Sequence, residues 1–201
     1  MSLKFVRPII LSISLFFAIP LIVLAGEPTD RIKAVSEKLI AVVTDSALKA
    51  PEMNEKREKM IMETVDSVFS WEEFSKRALA KYWSKRTDQE KKEFVSLFGQ
   101  LVERSYMDKT SQYSGENVLF LDEKIEGEYG SVNTKLITST GTQTPVEYRM
   151  INKNGTWWVY DVYIEGVSLV NNYRSQFNSI LVNSSYEELV KRLQEKLEKG
   201  E

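Results

Sequence analysis

The sequence predicts an α+β fold in which helices stack against a four-stranded antiparallel sheet. Three observations lead there. Apolar residues recur at helical spacing from Glu27 to Tyr113. Four runs rich in Val, Ile, Thr, Tyr and Trp then follow between residues 117 and 164. Helical spacing returns after Gly166. Helices, then strands, then helices is the order typical of an α+β domain with the helices packed on the sheet.

Local signals place the helices. Ile32, Val35 and Leu39 begin an apolar stripe on a first helix, and a second helix is predicted from about 53 to 68. Ser70 is a candidate cap for a third helix. The sequence 87–90, TDQE, is a capping box that starts a long fourth helix. Two further helices are predicted to begin at Ser168 and near 184–185.

The strands are predicted at about 117–126, 129–140, 144–152 and 156–164. The breaks between them are short and contain glycine. Asn154-Gly155 is the strongest of them, because this dipeptide favours the tight turn of a β-hairpin. Strands joined by short turns form an antiparallel meander.

The N-terminus has the three parts of a secretory signal. Lys4 and Arg7 precede an apolar run at 9–24, which ends in the small-residue pattern Val23-Leu24-Ala25. We therefore predict a signal peptide at 1–25 and one domain at 26–201. A retained membrane anchor is the alternative; the run is slightly short of the roughly 20 apolar residues needed to span a bilayer, and Pro20 interrupts it.

Composition narrows the function. The chain has no histidine and no cysteine, which removes the commonest general base, the Ser-His and Cys-His nucleophile pairs and the usual zinc sites. Without Lys4 and Arg7 the charge is about −4, which disfavours nucleic-acid binding. Asp161 is interpreted as a structural carboxylate, since buried acids persist when they are hydrogen-bonded. We predict no catalytic residue, no metal site, no cofactor and no enzymatic activity.

Residues 157–169, WWVYDVYIEGVSL, and 172–177, NYRSQF, resemble the signature of the MlaC family. Upstream, Phe74 with 78–83, ALAKYW, and the helix that starts at 87–90 also resemble family segments. The resemblance covers essentially the whole of 26–201. Its main departure is Ala80, where the family pattern has glycine.

The resemblance implies a twisted four-stranded sheet that encloses, together with the helices, an apolar cavity for phospholipid tails. It implies a soluble periplasmic carrier that helps to maintain outer-membrane lipid asymmetry, with phospholipid as its cargo. The implied partners are an inner-membrane ABC transporter complex with an MCE-domain protein and an outer-membrane lipoprotein–porin complex.

Strand alternation and helical faces give candidate residues for such a site. The predicted lipid-lining residues are Phe74, Phe98, Leu101, Tyr106, Val132, Leu136, Val146, Tyr148, Val159 and Val167. Arg149 and Arg174 are candidates for polar work at the mouth, for pairing with Asp161, or for structural ion pairs. Periodicity alone does not distinguish a hollow core from a filled one.

Two other functions fit the same sequence. One is a protein-binding adaptor of an ABC transport system, with a solid core and no lipid cargo. The other is a hydrolase of envelope glycans that uses two carboxylates about 5–10 Å apart. No spacing in the sequence selects a pair of acids for that role.

Overall fold

The structure is a computed structural model that describes residues 27–110 and 116–199, without the side chains of 107–110. The predicted signal peptide at 1–25 lies outside the described residues. Within them the chain forms six α-helices and one antiparallel sheet of five strands. The α+β class predicted from the order of elements is therefore confirmed.

The helices flank the sheet in sequence. The first four are α1 (Glu27–Thr44), α2 (Asn54–Asp66), α3 (Trp71–Leu79) and α4 (Asp88–Thr110), with short 3₁₀ turns at Ser46–Leu48, Pro51–Met53 and Ala80–Lys85. The last two are α5 (Leu169–Asn183) and α6 (Tyr186–Lys199).

The predicted caps set several of these boundaries. Ser70 Oγ accepts from the backbone N–H of Glu73 at the start of α3. The capping box before α4 is formed from both sides. Thr87 N donates to Glu90 Oε2 at 2.7 Å, and Glu90 N donates to Thr87 Oγ1 at 3.2 Å. These reciprocal bonds satisfy backbone donors that a helix start leaves unpaired.

The sheet has the order β1-β2-β3-β4-β5, and every neighbouring pair is antiparallel. Its strands are β1 (Asn117–Glu126), β2 (Tyr129–Ile137), β3 (Gln143–Lys153), β4 (Thr156–Ile164) and β5 (Val167–Ser168).

The prediction of four strands is wrong by one. Glu165 and Gly166 both have positive φ, +51° and +80°, which is the geometry of a tight hairpin turn. The turn folds β5 back so that Ser168 pairs with Tyr163 and Val167 with Ile164. A two-residue strand is too short to show alternation, so the sequence pattern missed it.

The core has three buried clusters. The largest joins α3, α4, α5 and α6 around stacked and edge-to-face phenylalanines. The second places α1 on the sheet, with Ile32 against Val132 and Met150. The third is small and joins Val42 of α1 to Leu48 and Ile61. The α1–α2 pair thus shares little core with the other helices. A pocket lies between this pair, α4 and the sheet.

Candidate functional site

An apolar pocket of about 250 Å³ lies between the sheet and helices α1, α2 and α4. All but two of its lining residues, Ser36 and Glu103, are apolar or aromatic. The pocket is lined by Ile32, Val35, Ser36, Leu39, Ile61, Met62, Val65, Val68, Phe69, Trp71, Val102, Glu103, Tyr106, Tyr148, Val159, Val162, Ile164 and Leu169.

Helical spacing builds three of the walls. Ile32, Val35 and Leu39 lie three and four residues apart on α1, so they share one face. The other two helical walls are formed by residues one to four positions apart: 61, 62 and 65 on α2, and 102, 103 and 106 on α4. Each helix turns a mainly apolar face towards the pocket, and Ser36 and Glu103 are its polar members.

A β-bulge builds the floor of the pocket. Val159 pairs with Met150, whereas Val162, three residues later, pairs with Tyr148 only two residues away. Paired residues of antiparallel strands lie on the same face. The extra residue in β4 therefore puts Val159 and Val162 on one face, although strict alternation would separate them.

The segment between α2 and α3 pairs with the backbone of β4 at this bulge. Ser70 N donates to the carbonyl oxygen of Val159 at 2.8 Å, and Val159 N donates to that of Val68 at 2.8 Å. These bonds satisfy the edge of β4 where β5 does not reach. They also bring Phe69 and Trp71 to the pocket wall.

The structure brings three of the predicted lining residues to the pocket: Tyr106, Tyr148 and Val159. Phe74 and Phe98 instead stack on each other in the helical core, with ring centroids 5.0 Å apart, and Leu101 is buried in the same cluster. The aromatic stripe on α4 therefore packs mostly against other helices.

The other predicted lining residues belong to the sheet. Val132 is fully buried under α1. Leu136 and Val146 are half-buried on strands β2 and β3, and neither is among the residues that line the pocket. Val167 lies on β5 with 58% of its surface exposed.

The two candidate arginines are not among the residues that line the pocket, and neither forms an ion pair with the Asp161 carboxylate, although Arg149 lies opposite Asp161 in the β3–β4 ladder. Arg149 Nε contacts Glu147 Oε1 at 2.8 Å. Arg174 Nε donates to the carbonyl oxygen of Arg77 at 2.9 Å, which ties α5 to α3. Arg174 therefore makes a structural contact between two helices.

Asp161 has the structural role expected of it. Its side chain is buried and accepts from Ser168 Oγ at 2.6 Å and from Val170 N at 3.0 Å. Ser168 Oγ in turn accepts from Asn171 N at 2.9 Å. The carboxylate thus completes the N-terminal cap of α5.

The sequence pattern did not indicate that α1 and α2 form walls of the pocket. The stripe on α1 was visible, but an apolar stripe alone does not say whether its partner is a filled core or a pocket. The bulge in β4 hid Val162 and Ile164, because alternation counted from Val159 assigns them to the opposite face.

One ionisable acid lies in this apolar wall. Burial, and then the negative charge of Asp66, raises the pKa of the Glu103 carboxyl above its usual value of 4.5. Burial likewise raises the pKa of the Tyr148 hydroxyl. In the described part of the chain no group of three or more acids forms a candidate metal site. The pocket can therefore offer apolar contact, the carboxyl group of Glu103 and the hydroxyl groups of Ser36, Tyr106 and Tyr148.

None of the helices in residues 27–110 and 116–199 combines the length and apolar character required to cross a bilayer.

Comparison with known proteins points to one family. A sequence model of the family described as "MlaC protein" matches residues 33–195. The intermembrane phospholipid transport system binding protein MlaC of Haemophilus influenzae is 25% identical over 124 residues, which cover 59% of this chain and 58% of that protein. Toluene tolerance protein ttg2D of Pseudomonas putida is 26% identical over 98 residues, 48% of this chain and 46% of that protein. Each match spans about half of the relative's length.

The fold matches a solved structure. A phospholipid-binding protein of Ralstonia solanacearum, determined in complex with a phospholipid, superimposes with a TM-score of 0.77. The match covers 85% of this chain and 97% of that one at 18% identity. At this identity the likeness establishes the fold.

Proposed function

Because the chain belongs to the MlaC family, we propose that it is a soluble periplasmic carrier that binds phospholipid and shuttles it between the outer and inner membranes. Its role is to maintain outer-membrane lipid asymmetry, without making or breaking a covalent bond. The observation that carries the proposal is the apolar pocket between the sheet and α1, α2 and α4. The similarity to a phospholipid transport system binding protein of Haemophilus influenzae supports it.

The pocket supplies the driving force for holding acyl chains. Each methylene group removed from water contributes about 0.8 kcal/mol. Stiff side chains such as Val159, Val162 and Tyr148 keep such a surface open, because they have few rotamers with which to fill it. The cargo is phospholipid, and no other cofactor is needed for this activity.

The pocket must widen to hold a whole lipid. Its volume of about 250 Å³ is below the range of roughly 300–1,000 Å³ that is usual for small-molecule sites. The α1–α2 pair is the part of the wall that shares least core with the other helices, since Val42, Leu48 and Ile61 form a cluster of their own. We therefore assign the widening to a shift of α1 and α2 away from α4.

Release requires partners, since burial of acyl chains by itself would trap the lipid. We propose an inner-membrane ABC transporter complex with an MCE-domain protein at one end of the path. An outer-membrane lipoprotein–porin complex is the partner at the other. Residues 1–25 would direct export as a cleaved signal peptide, leaving 26–201 as the lipid-binding domain.

The adaptor with a solid core is the second candidate. It requires no pocket, and the pocket found between sheet and helices favours the carrier over it. The glycan hydrolase requires two acids facing each other across a cleft. Only one acid, Glu103, is among the pocket-lining residues.

Filling the pocket tests the proposal. The Val162→Trp variant places an indole on the pocket floor, where a strand position tolerates an aromatic residue. The matched control is Val182→Trp, at a position on α5 that is 62% exposed. Delipidated protein is mixed with phospholipid vesicles, recovered, extracted and analysed by mass spectrometry.

We expect the unmodified protein and Val182→Trp to carry phospholipid, and Val162→Trp to carry several-fold less. Circular dichroism verifies that both variants are folded. Unmodified protein that takes up no phospholipid would contradict the carrier. Equal loading of the two variants would contradict the assignment of this pocket.

A further inference from the structure

The apolar pocket adjoins a polar depression of about 600 Å³ between α2, α4 and the end of α6. Two residues, Met62 and Glu103, line both. The passage from an apolar interior to a polar, open surface therefore occurs at these two side chains. A phospholipid has the same division, with apolar tails and a charged head group.

The charges around the depression are mostly acidic. It is lined by Glu55, Glu58, Lys59, Met62, Gln100, Glu103, Arg104 and Leu197. The Lys59 Nζ atom lies 3.9 Å from Oε1 of Glu63, a further acid on α2, so this lysine has an acidic partner. Asp66, whose negative charge acts on Glu103, accepts a 2.7 Å hydrogen bond from Nε1 of Trp71, a residue of the pocket wall.

Glu103 is the acid placed closest to the division. It is half-buried, and within the described residues no lysine or arginine pairs with it. Burial and the nearby Asp66 charge both disfavour its ionised form, so the pKa of Glu103 is raised. A cation beside Glu103 would offset both effects. Because a charge that is partly removed from water is screened less, the gain exceeds that of an exposed pair.

We infer that Glu103 makes the carrier select phospholipids whose head group bears an ammonium group over those whose only charge is the phosphate. The inference rests on the proposed function, since it requires the acyl chains to occupy the pocket. The ammonium group would lie at Glu103 where the pocket opens.

Arg104 is suited to the other charge of such a zwitterionic head group. One of its N–H groups donates to the Leu197 carbonyl oxygen at 2.6 Å, and a guanidinium has five donors in all. It lines the same depression one residue after Glu103. A phosphate therefore finds two cations among the lining residues, Lys59 and Arg104, but also the carboxylates of Glu55, Glu58 and Glu103. These carboxylates repel a head group that has no compensating amine.

The test is a competition between two lipids. Delipidated protein is incubated with vesicles of equimolar phosphatidylethanolamine and phosphatidylglycerol, and the bound lipids are extracted and counted. We expect the unmodified protein to enrich phosphatidylethanolamine roughly fivefold, the upper range for one partly exposed ion pair. Glu103→Gln should bring the ratio near one, and Glu103→Lys should favour phosphatidylglycerol.

Glu93→Gln is the matched control. Glu93 is exposed on the same helix, about 15 Å from Glu103 at 1.5 Å per residue. It loses the same charge away from the pocket, so it should retain the preference of the unmodified protein.

Total lipid bound separates the two proposals. A bound-lipid ratio that changes in both Glu103 variants and stays at the unmodified value in Glu93→Gln supports the inference. Normal loading with equal amounts of both lipids in the unmodified protein overturns the inference and leaves the carrier standing. A ratio unaffected by Glu103→Gln overturns it as well. No loading of the unmodified protein removes the carrier and, with it, the premise.

Discussion

Replacing Ala80 with glycine should stabilise the protein. Ala80 ends α3 with φ +49° and ψ −124°, a conformation that glycine adopts freely and other residues adopt at a cost of roughly 1–3 kcal/mol. Its side chain is exposed, so the loss of the methyl group removes little packing. Glycine also gains freedom in the unfolded chain, which opposes the benefit by about 0.5–1 kcal/mol.

The net gain expected for Ala80→Gly is about 1 kcal/mol, or about 2–4 °C in Tm for a domain of this size. Urea unfolding followed by tryptophan fluorescence measures it as a higher midpoint with an unchanged slope. The matched control is Ala50→Gly, because Ala50 has φ −66° and ψ 140°, an ordinary extended conformation. The same substitution should destabilise the protein there by about 0.5–1 kcal/mol. If both variants lose stability equally, the argument from backbone strain at residue 80 is refuted.

Two further predictions concern buried carboxylates. Burial alone would raise the pKa of Glu73, but the hydrogen bond and charge of Lys153, 3.1 Å away, together with two further cations lower it below 4.5. The ionised Glu73 carboxylate therefore contributes about 1–2 kcal/mol to the free energy of unfolding. This contribution is present above about pH 4.5 and is lost as the pH falls through the lowered pKa of Glu73 in the folded protein. The difference in unfolding free energy between the protein and Glu73→Gln should shrink from pH 7 to pH 3, and a constant difference would contradict the ion pairs. Asp161→Ala should lower the free energy of unfolding by about 2–4 kcal/mol, because it leaves the buried Ser168 hydroxyl and Val170 N–H without an acceptor. Urea unfolding measures this loss. A loss below about 1 kcal/mol would show that water replaces the carboxylate.

Local signals in the sequence determined the elements of the fold wherever neighbouring residues carry the information. The capping box at 87–90 begins α4 through its own two hydrogen bonds. Asn154 and Gly155 form the turn between β3 and β4, with φ of +55° and +80°. Both features depend on atoms within a few residues of one another, so the spacing of residue types is enough to predict them.

The signature run determined the family, and Asp161 within it has the structural role that its burial predicted. Three of the ten candidate lining residues lie on the pocket, and there is a physical reason why the others do not. Phe98 and Tyr106 belong to the same helix, two turns apart, and the helical period assigns them to similar faces. Phe98 packs against Phe74 in the helical core, whereas Tyr106 lies on the pocket. Which neighbour each face meets depends on elements that are distant in sequence.

Tertiary structure alone decided where the pocket lies. The bulge in β4 turns Val162 to the same face as Val159, and it forms where the segment after α2 bonds to the backbone of Val159. Glu103 lies in the pocket wall only because α2 and the sheet, which are distant in sequence, supply the facing walls. The sequence by itself determined the class of fold, the capped start of α4, the turn between β3 and β4, and the family. The hollow between the layers, and the charge at its opening, arise from contacts between residues far apart in the chain, which no local pattern records.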